Sequence, residues 1–395
     1  MRPIPDPGPV RAFLEARHEA LADELAAFAA ERIAPLPAPH DDAAGRHQAR
    51  EILGLLGAAG TLGWLVPREW GGREEAPDLR ACCLAREALA AASPLADAVF
   101  ALQCLGSMPV LLGGSDEQRA AWLPRVLRGE AMAAFAMTEP EAGSDVSALA
   151  TRARRDGEAW VIDGRKSFIS NAGIADFYCL FAATDPGAGN RGLSCFLVPA
   201  DAPGLRFTGP QVMSEPHPLG ELELDGCRVP AGALLGEEGR GFHLGMRTLD
   251  RLRPTVAAAA CGMGARALAE ALAHARGRRQ FGQPLSSFQL VQEKLAAAAT
   301  ELVAARLLVY RAAWEADRGA ERPTLAAAMA KAFATEAAQR GVDAAVQVLG
   351  GRGVLADHPV DRLYRAVRAL RIYEGTTEIQ HLVIARELLR EGDPA

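Results

Sequence analysis

The period of the apolar pattern changes twice along this chain, and that limits the fold more than any single residue does. From about Arg11 to Glu130, stretches such as ARHEALADELAAFAAERIAPLP and AREALAAASPLADAVFALQCLG repeat apolar residues at spacings of three and four. This is amphipathic helical patterning, punctuated by Pro and Gly. In SDEQRAAWLPRVLRG, Ser115 or Asp116 is placed to cap a helix and Gly129 to stop it. From about Ala131 to Leu235 the character changes. AWVIDGRKSFIS and ELELDGCRVP alternate, DFYCLFAAT and LSCFLVPA are short apolar runs, and Asp163-Gly164 is a hairpin-turn signal. From about Gly239 long helical patterns return, in PTVAAAACGMGARALAEALAHARGRRQFG, LVQEKLAAAATELVAARLLVYRAAWEADRG, TLAAAMAKAFATEAAQRGVDAAVQVLGG and TEIQHLVIARELLREG. The expected fold class is α+β. It has an N-terminal α-helical domain (1–130), a middle β-barrel or sandwich (131–236) and a C-terminal four-helix bundle (237–395).

Composition supports domains of this size. The 395 residues are 49% hydrophobic, enough for large cores. The net charge of −6, without long runs of one sign, argues against a nucleic-acid-binding face. No uninterrupted apolar run approaches the ~20 residues of a membrane span. The start, MRPIPDPGPV, carries no apolar signal core. A soluble cytoplasmic protein is expected, and the heavy use of Ala and Arg suggests a bacterial source. The seven cysteines are odd in number and form no C-x-x-C pair, so buried reduced thiols are expected. The eight histidines show no zinc spacing, and no metal is expected.

Five short stretches carry candidate chemistry, and each has an ordinary structural reading beside it. AFAMTEPEAGSDVSAL could present the hydroxyls of Thr138 and Ser144 to one ligand, or be a strand-to-loop turn. In RKSFISNAG, Phe168 could wall a flat ring and Ser170 donate to it, or both could simply end a strand. In RGRRQFGQP, Arg278 or Arg279 suits a phosphate and Phe281 a planar ring, while basic residues at a helix end also favour its dipole. QVLGGRGV permits close backbone approach or forms a helix cap. In RIYEGTTEIQ, Thr377 with Gln380 fits a capping box, so Glu374 lies just before a helix starting near Glu378.

In this order the motifs resemble the acyl-CoA dehydrogenase family of FAD flavoproteins. The resemblance runs from about Leu21 to Leu389. It rests on T-E-P-x-A-G-S-D at Thr138, R-x-x-F-G at Arg278, Q-x-x-G-G-x-G at Gln347 and Y-E-G-T at Tyr373. It implies FAD as cofactor and a homotetramer built as a dimer of dimers. Phe135, Met137, Thr138 and Ser144 would line the flavin and thioester region, and Phe168 and Ser170 would cover the flavin ring. Arg278, Gln280, Phe281, Gln289, Gln347 and Gly351 would reach the cofactor of a partner subunit, with Thr376 and Glu378 touching the same cofactor. Asp250, Arg253 and Arg386 would contact the substrate's thioester carrier, and Gly375 would also contact the substrate. Glu374 would be the base that removes a Cα proton. Its backbone N–H, with a ribityl hydroxyl of FAD, would stabilise the enolate-like oxygen. Apolar substrate and flavin would desolvate Glu374 and raise its pKa, and the helix start would lower it, so the sequence leaves the net direction in the free enzyme open. Some relatives carry the base in the segment matching LDRLRP, where this chain has Leu252.

Three departures from the family pattern stand out. EPHPLG, with His217, replaces a G-x-R-x-S-x-T type run near the carrier entrance of relatives, which opens an acyl-carrier-protein thioester as an alternative to acyl-CoA. Phe168 stands where many members have Trp, and Glu378 where Gln is common. The implied electron acceptor is an electron-transfer flavoprotein. The alternatives are an oxidase on the same fold and a non-catalytic acyl-thioester binding protein.

Overall fold

The computed structural model describes residues 4–320 and 323–390. Ten helices are present among them: α1 (Ala16–Phe28), α2 (Asp42–Ala58), α3 (Leu79–Ala92), α4 (Pro94–Gly113), α5 (Asp116–Leu127), α6 (Gly241–Gly277), α7 (Gln289–Asp317), α8 (Thr324–Leu349), α9 (Pro359–Leu370) and α10 (Thr377–Leu388). The strands are β1 (Ala133–Ala136), β2 (Arg152–Asp156), β3 (Ala159–Ser170), β4 (Phe177–Ala183), β5 (Leu193–Pro199), β6 (Leu205–Pro210), β7 (Leu219–Pro230) and β8 (Leu234–Leu235), with a separate antiparallel pair β9 (Arg279–Gln280) and β10 (Gln283–Pro284). A helical N-terminal region, a β-sheet middle region and a helical C-terminal region therefore follow one another. Helix α9, which the four expected patterns did not include, adds a fifth helix to the last region.

Packing divides the described chain differently, into two compact units. One holds residues 38–77 and 98–249, the other residues 1–37, 78–97 and 250–395. In the first, the strands follow the order β6-β7-β3-β2-β4-β5-β8, with β1 parallel to β4. No pairing joins β6 to β8 among the described residues. The sheet core is built from alternate residues of these strands, including Trp160, Ile162, Tyr178, Leu180, Phe196 and Leu222, with Trp160 and Phe196 edge to face at 5.2 Å. Helix α5 starts where its capping box dictates: Ser115 and Gln118 exchange side-chain and backbone hydrogen bonds.

Asp163-Gly164 is not a hairpin turn. It lies inside β3, at a register shift against β7. The β2–β3 turn falls one Asp-Gly earlier, at Asp156-Gly157, with Gly157 at φ 59°. A turn signal acts only where the flanking strands can pair, and the long β3 runs through Gly164 to continue its pairing with β7. Asp163 Oδ1 instead accepts the Gly226 N–H at 2.6 Å.

In the second unit α8 packs against α7, α9 and α10, and α3 against α1 and α7. A Cβ on Gly262 of α6 would stand 2.3 Å from the Glu87 carbonyl of α3, so glycine there sets how closely these helices approach. Buried ion pairs join the elements. Arg86 grips Asp97 through two bonds of 2.7 and 2.8 Å, and Arg306 holds Glu87 at 3.1 Å. All seven cysteines are free and buried. Helices α4 and α6 are long and apolar enough in composition to cross a membrane, which the run-length reading had not indicated. Their apolar windows are 72% and 67% buried inside the chain, as in core helices.

Gly164→Ala would bring a Cβ within 2.5 Å of Thr151 Oγ1 and 2.7 Å of its Cα. The variant is expected to lose about 1–3 kcal/mol, read as a lower urea midpoint at unchanged slope.

Candidate active site

In the helical unit, the chain leaves α9 and turns at Glu374 before α10 begins. The turn has a cost. Glu374 has φ 54° without being glycine, and Gly375 follows at φ 92°. Three side chains hold it. Arg253 Nε and Gln380 Nε2 each donate to the Glu374 carbonyl at 3.2 Å. Gln380 Nε2 also donates to the Gly375 carbonyl at 3.0 Å, and Lys331 Nζ donates to it at 2.7 Å. Thr376, not Thr377, caps α10, accepting from the Ile379 N–H. The Thr377 hydroxyl donates to Glu336 instead, and Gln380, expected as the capping partner, turns back to the two carbonyls.

Among the described residues the Glu374 side chain forms no ion pair, and its buried Oε2 accepts no hydrogen bond. Burial pushes its carboxyl above the usual glutamate range, against the pull of Arg86, Lys331 and Arg253. Burial thus outweighs the three cations that favour the ionised form. The backbone N–H of Glu374 donates to nothing among the described residues. A raised, partnerless carboxyl beside a free N–H can take a proton and stabilise an oxyanion at one place.

The sheet unit builds a second group at the ends of β1 and β3. Lys166, fully buried, donates to the Met137 carbonyl at 3.1 Å and to Glu139 at 2.7 Å. Glu139 also accepts the N–H groups of Ala150 and Thr151. Burial opposes the Glu139 charge, but Lys166 and these bonds hold its carboxyl below the ordinary value, while burial lowers Lys166 to about 8. The Thr138 carbonyl accepts the Ser167 N–H, so the Met137–Glu139 turn and the Phe168–Ser170 strand end are tied together. Phe135 packs on Phe181, Met137 is buried, Thr138 is half-buried and Ser144 is exposed. Phe168 is 59% exposed at φ 56°, with its N–H taken by Gln211 at 2.7 Å. The Ser170 hydroxyl meets His217 Nε2 at 2.7 Å.

The remaining candidates are spread out. Asp250 pairs with Arg253 and accepts the Thr324 hydroxyl, so both polar heads expected at the thioester carrier are engaged inside the chain. Arg386 is exposed and lies 3.6 Å from Glu387. Arg278, Gln280, Gln289, Gln347, Gly351 and Glu378 are exposed, Thr376 is half-buried, and Phe281 is 92% exposed at φ 50°. Leu252 is buried. The sequence reading did not single out Lys331, Arg86, Asp97, Lys166 or Gln211. A lone lysine among the alanines of TLAAAMAKAF was the signal for Lys331, because a charge on an apolar helix face needs a reason.

Comparison with known proteins decides the family. Its N-terminal, middle and C-terminal domain profiles match residues 15–130, 134–227 and 239–389. The chain belongs to the acyl-CoA dehydrogenase family. It is 42% identical to cyclohexane-1-carbonyl-CoA dehydrogenase of Geobacter metallireducens over 366 residues, 92% of this chain and 95% of that one. It is similar to the butyryl-CoA dehydrogenase structure from Megasphaera elsdenii, with TM-score 0.90, 34% identity, and 95% and 99% of the two chains covered. It is also similar to the prolyl acyl carrier protein oxidase AnaB, with TM-score 0.87, 30% identity, and 95% and 100% covered.

An acyl-CoA dehydrogenase is an FAD-dependent oxidoreductase, and the residues present fit that group. Two exposed phenylalanines, Phe168 and Phe281, sit on left-handed backbone that costs roughly 1–3 kcal/mol each, and a flat ring gives such side chains a surface to cover.

Lys166→Met would leave Glu139 buried without its cation. The expected outcome is a loss of about 3–5 kcal/mol in unfolding free energy together with weaker FAD retention, measured by urea titration and flavin content. His217 gives a pH signature. Burial, aided by the Arg46 charge, lowers its pKa from 6.5 to about 4. The unfolded chain therefore takes up a proton that the folded chain refuses. Stability should fall from about pH 6.5 to pH 4 by roughly 2–3 kcal/mol, a slope that His217→Gln removes from urea midpoints measured across that range.

Proposed function

We propose that this enzyme dehydrogenates an acyl thioester between Cα and Cβ, with Glu374 as the base that takes the Cα proton. The carrying observation is the Glu374 turn: a buried carboxylate oxygen without a partner, a free N–H on the same residue, and a pKa raised by burial. Transfer of the proton neutralises a carboxylate that burial already disfavours, so desolvation works with the reaction. The Glu374 N–H donates to the thioester oxygen as negative charge develops there. FAD, when bound, supplies the oxidant that accepts the β-hydrogen as hydride at N5.

Around this centre, Met137, Thr138, Ser144, Phe168 and Ser170 hold the flavin and the thioester. Exposed Arg278, Gln280, Phe281, Gln289, Gln347 and Gly351 serve a second subunit of a homotetramer. Segments 1–130, 131–236 and 237–395 are its domains, the middle one barrel-like and the last built on a four-helix bundle. An electron-transfer flavoprotein reoxidises the enzyme.

Acyl-CoA is the first choice of substrate, in keeping with the named activities of the Geobacter and Megasphaera proteins. The EPHPLG segment and the likeness to a carrier-protein oxidase favour a second reading, the same chemistry on an acyl-carrier-protein thioester. Anaerobic bleaching of the flavin across a panel of acyl-CoA and acyl-carrier-protein thioesters separates them, and hydrogen peroxide on aerobic turnover would mark an oxidase.

Glu374→Gln should remain folded and FAD-loaded while flavin reduction slows by roughly 10²–10⁴-fold. Turnover near the wild-type rate would refute the assignment. Because the base must be ionised, kcat/KM should fall on the acid side with an apparent pKa above the ordinary glutamate value of 4.5.

A further inference from the structure

Two consecutive carbonyls, those of Glu374 and Gly375, are held by three side chains, and only one of those carries an unpaired charge. Arg253 is neutralised by Asp250, and Gln380 is neutral. Lys331 stands on α8 with no exposed surface, among Ala327, Ala328, Ala330, Ala332 and Ala334. Its one hydrogen bond among the described residues goes to the Gly375 carbonyl at 2.7 Å, and it pairs with no carboxylate. An ammonium in such a setting costs several kcal/mol, and an apolar side chain would pack there without that cost. Packing of α8 therefore does not explain the lysine.

Two of the other charged groups near the turn are matched. Arg86 of α3 is paired with Asp97 at the start of α4, and Glu336 of α8 with Arg371. Glu378 of α10 is exposed, and Tyr373 precedes the base. Lys331 is thus the cation among these groups with no ion-pair partner of its own, and Glu374 acts on it more strongly than Glu336 or Glu378 does. We propose that Lys331 is a positioning residue for the base: it pins the Gly375 carbonyl, and so the Glu374 turn, and its ammonium holds the Glu374 carboxylate ionised and ready. This rests on Glu374 being the base. Lys331 lies among the groups that pull the Glu374 carboxyl down, and burial brings Lys331 itself to about 8, so its charge is present at neutral pH and fades as pH rises through that value.

The test uses FAD-loaded Lys331→Met and Lys331→Arg. In the methionine variant the acid limb of kcat/KM should move to higher pH by about one unit, a tenfold change in proton affinity, with flavin content and urea midpoint at least those of wild type. The arginine variant should return the limb toward wild type. Infrared titration of the Glu374 carboxyl band, identified by its loss in Glu374→Gln, should shift in the same direction without turnover. An unmoved limb and band in Lys331→Met, with Glu374→Gln inactive, would overturn the role of Lys331 alone. An active Glu374→Gln would overturn the base assignment and this inference with it.

Discussion

The carbonyl clamp on Glu374 and Gly375 is the interaction on which the turn between α9 and α10 depends. Left-handed backbone at a glutamate is unfavourable, and so is burying a carboxylate oxygen with no donor. Both persist because α6, α8 and α10 each send a donor to the same two peptide groups: Arg253, Lys331 and Gln380. With the carbonyls engaged, the Glu374 N–H has no partner among the described residues and stays open to a ligand. The unfavourable conformation and the free donor have one cause.

The sheet unit solves a similar problem in a similar way. Lys166 is buried, lies near a pKa of about 8, and donates to a backbone carbonyl, that of Met137, beside a motif read as ligand-binding. It differs from Lys331 in having its own carboxylate, Glu139, which also collects two backbone N–H groups. A matched pair of this kind fixes a loop. An unmatched lysine leaves its field to act on whatever charge comes near, which suits the neighbourhood of a base.

Much of this was legible from pattern. The change of apolar period located the strands, and Ser115 capped its helix through Gln118 as the spacing required. The four separated motifs led to the family and to Glu374. Local signals failed where tertiary contacts outweighed them. Asp163-Gly164 has the chemistry of a turn, yet β7 pairs along both sides of it and β3 runs through. Thr377 and Gln380 have the spacing of a cap, yet Glu336 claims the threonine hydroxyl and the strained carbonyls claim the glutamine.

The sequence by itself determined which residue types were available: one carboxylate in Y-E-G-T, leucine at the rival position 252, and a lone lysine in an alanine-rich helix. Such features are local, and residue type and spacing express them. Only the tertiary structure decided that Lys331, 43 positions before Glu374, reaches the carbonyl of the next residue, and that burial prevails over the pull of Arg86, Lys331 and Arg253 in setting the carboxyl's proton affinity. Desolvation and through-space charge depend on what surrounds a group in three dimensions, and segments far apart in the chain supply that surrounding.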